Sequence, residues 1–84
     1  MMYKIYTKDN CSWCIKAKKL LDDVGVKYTA LNLGTDYTKE ELRELIGPNL
    51  PLTAPQVFVY DKRIGGYDDL AEYMEMHNMT GLQT

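Results

Sequence analysis

Between Thr7 and Ser12 the spacing of apolar residues changes from the period of a strand to that of a helix, and this change limits the folds open to the chain. Tyr3-Lys4-Ile5-Tyr6-Thr7 alternates polar and apolar residues and is rich in strand formers, which predicts a β-strand. From Ser12 onward Ala17, Leu20, Leu21 and Val24 fall on one side of a helix. Lys16, Lys18, Lys19, Asp22 and Asp23 fill the other side, the pattern of an amphipathic helix. Gly25 follows the last apolar position as a helix-ending residue would. Val26 to Leu33 alternates again and predicts a second strand. Strand, helix and strand in this succession make a βαβ unit, which asks for a parallel pair joined by a crossover helix.

The second half departs from that repeat. Thr38-Lys39-Glu40-Glu41 is a capping box, with a hydroxyl at the N-cap and a carboxylate three residues on. Leu42, Leu45 and Ile46 give the helix that follows an apolar side, and Gly47-Pro48 stops it. Asn49 to Pro55 is a loop. Gln56 to Tyr60 predicts a third strand, Asp61-Lys62 a tight turn, and Arg63-Ile64 a short fourth strand broken by Gly65-Gly66. Asp68 or Asp69 can cap a last helix that carries Leu70, Tyr73 and Met74 on one side. Thr80 to Thr84 is expected to fray. The order β-α-β-α-β-β-α predicts an α/β three-layer sandwich, a four-stranded mixed sheet with helices on both faces. With 84 residues and no repeat or linker, a single domain over 1–84 is expected.

Composition narrows the function. Hydrophobic residues make up 45% and charged residues 26% of the chain, with a net charge of −2 and no long run of one sign. Nothing in that balance draws the chain to nucleic acid or to an acidic membrane surface. Met1-Met2-Tyr3-Lys4-Ile5-Tyr6 lacks the charged start, apolar middle and small-residue cleavage site of a signal peptide. The chain therefore reads as cytoplasmic, where thiols are kept reduced. The two cysteines, Cys11 and Cys14, make a poor structural staple there, because their bond closes a very short loop and restricts the unfolded chain little.

Their position suits chemistry better. Cys11-Ser12-Trp13-Cys14 lies between a predicted strand and a predicted helix, the thioredoxin-like redox context for a C-x-x-C pair. Cys11 falls at the start of the helix, where free backbone N–H groups and the positive end of the dipole favour a thiolate by about 0.3–1 kcal/mol for an exposed charge. Lys8 adds a cation three residues upstream. The thiolate is the attacking species in disulfide exchange, so Cys11 is expected to be the nucleophile. Cys14, one turn further in on the same face, is expected to be less exposed and to resolve the mixed disulfide. Two blander readings compete. Zinc would need carboxylates to complete four ligands, since His77 is the only histidine and no other cysteine exists. Two inert buried thiols would also satisfy the pattern.

Two further segments carry site arguments. Thr53-Ala54-Pro55 directly precedes the third strand. It can be a plain turn, or a cis Ala54–Pro55 peptide that offers the Ala54 backbone to an extended partner. Gly65-Gly66-Tyr67-Asp68-Asp69 is adequate as a hairpin exit and helix start. A helix N-terminus also takes a carboxylate, while Asp68 or Asp69 could accept from an ammonium, so an amino-acid end would suit this spot.

Y-T-K-D-N-C-S-W-C-I-K-A-K-K-L-L at 6–21, T-A-P-Q-V-F-V at 53–59 and I-G-G-Y-D-D-L at 64–70 together resemble the glutaredoxins, closest to the short bacterial and bacteriophage type. The resemblance implies a thioredoxin-like fold, a cis Pro55, no bound cofactor, and glutathione as reductant and co-substrate. It makes Cys11 the nucleophile and Cys14 the resolving thiol. It implies that Lys8 faces the glycyl carboxylate of glutathione, with Trp13 beside it. The backbone of Ala54, between Thr53 and Pro55, would pair with the cysteinyl part. Tyr67, Asp68 and Asp69 would hold the γ-glutamyl end. It further implies a monomer acting on glutathione mixed disulfides and on disulfide-containing proteins such as ribonucleotide reductase. Lys39 is the candidate for the basic residue that the family often adds near the second helix. Ser12 stands where proline is usual, Trp13 where Tyr or Phe is commoner, and Ala54 where Val is usual. A thioredoxin-like donor served by a flavoprotein reductase, and an iron–sulfur carrier ligated by Cys11 and glutathione, are the alternatives.

Outside these motifs, His77 is expected on the surface near the end of the last helix, where the dipole favours a cation. Met74, Met76 and Met79 are expected to pack.

Overall fold

A computed structural model describes residues 2–77. Met79 and the segment Thr80 to Thr84 lie outside the described residues. Seven elements follow one another: β1 (Tyr3–Thr7), α1 (Ser12–Val24), β2 (Tyr28–Asn32), α2 (Lys39–Ile46), β3 (Gln56–Val59), β4 (Lys62–Gly65) and α3 (Tyr67–Met76). The order is the one that the alternating periods predict. The strands form one mixed sheet in the order β2-β1-β3-β4. β1 runs parallel to β2 and antiparallel to β3, and β3 runs antiparallel to β4.

The two central strands carry both cores. Tyr3 and Ile5 of β1, with Val57 and Val59 of β3, face α1 and α3, which contribute Ala17, Leu21, Leu70 and Met74. Tyr6 and Phe58 face the other way and meet Tyr37 with Leu42 and Ile46 of α2. Alternation along β1 thus sends consecutive side chains into different cores. Removing a side chain such as Leu21 from water contributes about 1.5–3 kcal/mol. The edge-to-face contacts of Tyr6 with Tyr37, at 5.1 Å, and with Phe58, at 5.5 Å, add orientation to the second core.

Register then places the functional loops. Ile5 lies opposite Val57, and Tyr6 opposite Gln56. The C-terminal end of β1 and the N-terminal end of β3 therefore share one end of the sheet. The loop into α1 and the Thr53-Ala54-Pro55 segment meet there.

Local chemistry explains the helix ends. Thr38 Oγ1 accepts from Glu41 N at 3.1 Å, and Glu41 Oε1 accepts from Thr38 N at 2.9 Å, the expected reciprocal cap. Gly25 ends α1 in the left-handed region at φ 80°, which glycine adopts without steric cost.

The structure corrects several local expectations. α3 begins at Tyr67 with Gly66 as its N-cap. Asp68 and Asp69 are already inside the first turn, where carboxylates still favour the helix dipole. Leu45 is 49% exposed, because Leu42 and Ile46 suffice to fill the short contact of α2. Met74 is buried while Met76 is 75% exposed, since two residues along a helix point apart. β2 is shorter than Val26 to Leu33. It lies at the edge of the sheet, and Leu33 leaves the strand to bridge Tyr37. The hairpin turns at Tyr60-Asp61, with Tyr60 at φ 55°, so Lys62 already belongs to β4. His77 is exposed, as expected, and lies against Tyr73 with ring centroids 4.2 Å apart.

Burial holds the phenols of Tyr3, Tyr6, Tyr28 and Tyr37 above the ordinary value of 10.0. Neighbouring Tyr73, Glu41, Asp22 and Tyr6, respectively, add to the shift. Tyr37 Oη donates to Thr7 O at 2.7 Å, tying the segment just before α2 to the end of β1. Tyr37→Phe should cost about 1 kcal/mol at neutral pH, the usual net value of one hydrogen bond. A folded pKa above the unfolded one means stability that is complete below pH 10 and is lost as pH rises through the folded value. The stability gap between wild type and Tyr37→Phe should therefore narrow above pH 10, as read by denaturant titration at several pH values.

Candidate dithiol site

β1 delivers the chain to the end of the sheet, and the loop that follows is tied to the end of β2 through Asp9. Thr7 Oγ1 donates to Leu31 O at 3.2 Å, Asn32 Nδ2 donates to Asp9 Oδ1 at 3.1 Å, and Asp36 Oδ2 accepts from Asn32 N at 2.9 Å. Asn10 takes φ 55°, a conformation that asparagine tolerates better than most residues. The chain then reaches Cys11 in extended conformation, φ −120° and ψ 103°, as the N-cap of α1.

That cap position determines the electrostatics of the sulfur. Cys14 N donates to Cys11 Sγ at 3.2 Å, so sulfur takes the acceptor place that serine, threonine or aspartate oxygen fills at other helix starts. Cys11 and Cys14 are joined as a disulfide with Cα atoms 5.2 Å apart, a separation that the helix turn itself supplies. Cys11 keeps 8% of its surface and Cys14 only 1%. Cys11 is the more exposed residue of the pair.

Opposite the sulfur lies the segment before β3. Ala54–Pro55 is a cis peptide, as the family resemblance implied. Ala54 O lies 3.8 Å from Cys11 Sγ; a disulfide sulfur has no proton to donate, so this is a contact and not a hydrogen bond.

Two hollows flank this centre. One, of about 150 Å³, is lined by Trp13, Thr53, Ala54, Pro55, Gly66, Tyr67 and Asp68. The other, of about 140 Å³, is lined by Lys8, Lys39, Thr53 and Ala54 over an apolar floor that includes Leu42 and Leu52. Thr53 and Ala54 form the ridge between an acidic side and a basic side. Trp13 is 50% exposed. It is steadied by Tyr67, with ring centroids 5.5 Å apart, and by Lys16 Nζ at 4.5 Å over its ring, within the range of a cation–π contact. A larger hollow at the opposite end of the sheet, lined by Met2, Tyr28 and Tyr60 among others, holds none of the residues that carry chemistry.

Of the ten residues that the sequence nominates, Lys8, Cys11, Trp13, Cys14, Thr53, Ala54, Pro55, Tyr67 and Asp68 gather at this end of the sheet. Asp69 turns away. Its Oδ2 faces Gly66 N at 3.4 Å, and it lines a separate hollow with Lys62 and Arg63. Sequence reasoning took Gln56 only as the first residue of a strand. It is 2% exposed and bonds to Thr53 on one side and Arg63 on the other. The available signal was a polar residue heading an otherwise apolar strand, which demands buried partners. Lys16 was read only as part of a solvated face, although its i, i+3 spacing from Trp13 places them together. Among the described residues no group of three His, Cys, Asp or Glu is placed to hold a metal ion. None of the described helices is long and apolar enough to cross a membrane.

A C-x-x-C disulfide at a helix start, facing a cis-proline loop at one end of a four-stranded mixed sheet, defines a thiol–disulfide oxidoreductase of thioredoxin-like fold. Residues 4–64 match the glutaredoxin family model, and the chain belongs to the glutaredoxin family. It is 40% identical over 67 residues to glutaredoxin 3 of Escherichia coli, covering 80% of this chain and 78% of that one. It is 45% identical over 69 residues to the hybrid peroxiredoxin hyPrx5 of Haemophilus influenzae. The match covers 82% of this chain, which spans only about a quarter (27%) of that longer protein. Among solved structures, the buckwheat glutaredoxin–glutathione complex superposes with a TM-score of 0.76 at 27% identity, over 92% of this chain and 71% of that one. Reduced E. coli glutaredoxin gives 0.73 at 28% identity, over 93% and 98%.

The start of α3 also explains why Gly65 is glycine. Its φ is +128°, and a Cβ there would collide with the Asp69 carboxylate that faces Gly66 N. Gly65→Ala should destabilise the protein by about 1–3 kcal/mol through strained backbone alone, seen as a lowered Tm. A Tm equal to wild type would show that the Gly65–Asp69 approach is not fixed as described.

Proposed function

We propose that this protein is a glutathione-dependent reductase of protein disulfides and of glutathione mixed disulfides, acting as a single glutaredoxin domain and a monomer in the cytoplasm. The observation that carries the reading is the pairing of Cys11 Sγ with Cys14 N at the N-cap of α1, together with hollows of opposite charge on either side of it.

In the reduced state Cys11 is the nucleophile. As a thiolate it accepts from Cys14 N and is favoured by the helix dipole. It attacks one sulfur of the target disulfide, forming a mixed disulfide, and the other target sulfur leaves as a thiolate and takes a proton. Cys14, once deprotonated, attacks Cys11 Sγ and releases the second target thiol. The target gains two electrons, and the protein is left with its Cys11–Cys14 disulfide. Two glutathione molecules reverse this in two exchanges: the first forms a mixed disulfide on Cys11, and the second leaves with it as glutathione disulfide.

Charge supports glutathione as the partner. A tripeptide thiol held at Cys11 carries a carboxylate at one end and an amino-acid group at the other. Lys8 and Lys39 suit the first. The start of α3 with Asp68 suits the second, its N–H groups taking the carboxylate and Asp68 the ammonium. Ala54 offers backbone groups between the two ends, and Trp13 and Tyr67 provide apolar walls. A glutaredoxin of the same fold has been solved as a glutathione complex, which supports the same use here. Ribonucleotide reductase is proposed as one protein-disulfide target.

Cys11→Ser should abolish exchange altogether. Cys14→Ser should keep deglutathionylation, since glutathione can resolve the intermediate, while losing reduction of protein disulfides. Coupling to glutathione reductase should give steady NADPH consumption with a glutathione mixed disulfide. Turnover only with a flavoprotein thioredoxin reductase would replace glutathione as the electron source.

A further inference from the structure

The Ala54 backbone can serve a substrate only if the loop that carries it is held still, and the hydrogen bonds that hold it lead away from the dithiol. Gln56, buried beneath the loop, donates from Nε2 to Thr53 O at 3.1 Å and to Thr53 Oγ1 at 3.2 Å. Its Oε1 accepts from Arg63 Nε at 2.9 Å. The orientation of the amide is forced: guanidinium only donates and a carbonyl only accepts, so oxygen must face Arg63 and nitrogen must face Thr53. The cation behind the amide strengthens this chain of bonds, since hydrogen bonds to charged groups are the stronger ones.

The consequence reaches the next peptide group. Thr53–Ala54 is trans, the only cis bond among the described residues being Ala54–Pro55. In a planar trans peptide the C=O and the following N–H point in opposite directions. Fixing Thr53 O toward Gln56 therefore fixes Ala54 N–H away from it. That N–H makes no hydrogen bond to the described residues, and Ala54 lines both hollows beside Cys11.

We propose that Gln56, braced by Arg63, is a positioning residue that aims the Ala54 N–H at the backbone of a peptide-bearing disulfide bound at Cys11. This rests on the reading above that Ala54 pairs with the substrate backbone, and it adds which side chains make that pairing specific. Gln56 touches no reacting atom. Its effect should appear only with substrates that have a peptide group to pair.

The test uses the pre-reduced protein in single-turnover reactions with two disulfides. Glutathione disulfide carries peptide groups, and bis(2-hydroxyethyl) disulfide carries none. In Gln56→Leu the half-saturating concentration of glutathione disulfide should rise about tenfold, the scale of one lost hydrogen bond, with the limiting rate unchanged. The rate with bis(2-hydroxyethyl) disulfide should stay at the wild-type value. Arg63→Ala should show the same split to a lesser degree, and Arg63→Lys should recover part of it. Should Gln56→Leu not fold, Arg63→Ala decides the matter, since it leaves Gln56 in place and removes only its brace from half-buried β4. Unchanged saturation by glutathione disulfide in the folded variants would overturn the proposal. Equal losses with both disulfides would also overturn it, reducing Gln56 to a structural role. If the wild type itself reacted equally well with both, the reading of Ala54 would fall, and the positioning role with it.

Discussion

A backbone N–H directed at a sulfur is the interaction on which the rest of this structure turns. Cys11 occupies a helix cap, and its disulfide sulfur accepts the hydrogen bond from Cys14 N, at a helix end whose dipole favours negative charge. Everything beneath it keeps that helix start in place. Ala17 and Leu21 pin α1 to the sheet, and Asp9 and Asn32 hold the approach. The antiparallel pairing of β1 with β3 brings the cis-proline loop alongside.

Much of this arrangement was legible from periodicity. The β1-to-α1 change of period located the dithiol at a helix start, and the Thr38–Glu41 pair located the start of α2, because both signals are local and act through the backbone. The start of α3 was misplaced for a corresponding reason. Asp68 and Asp69 resemble caps in sequence, but Gly65 at positive φ lets the chain enter the helix earlier, and that turn is set by β4 leaving the sheet. Leu45 and Met76 were taken as packed because apolar residues on a helix usually are. The limited width of the contacts made by α2 and α3 leaves both in water, and no local pattern encodes that width.

The site divides similarly. Residues proposed to act through their own chemistry, the two cysteines and Lys8, stood out by type and spacing. Gln56 did not, since its importance comes from what β3 buries it against and from an arginine across the hairpin. The bond from Gln56 to Thr53 is short in sequence, but its meaning depends on the fold having set Thr53 opposite Cys11. Long-range register, which sequence pattern conveys poorly, makes an ordinary amide part of a site.

One asymmetry, between an outer cysteine with some surface and an inner one with almost none, has a kinetic consequence. On the proposed mechanism, a molecule that brings electrons and a molecule that takes them must both react at the same sulfur, that of Cys11. The two cannot be seated together, so each has to depart before the other arrives. Turnover on such a scaffold alternates between visitors, and the protein itself, oxidised or reduced, carries the memory of which one came last.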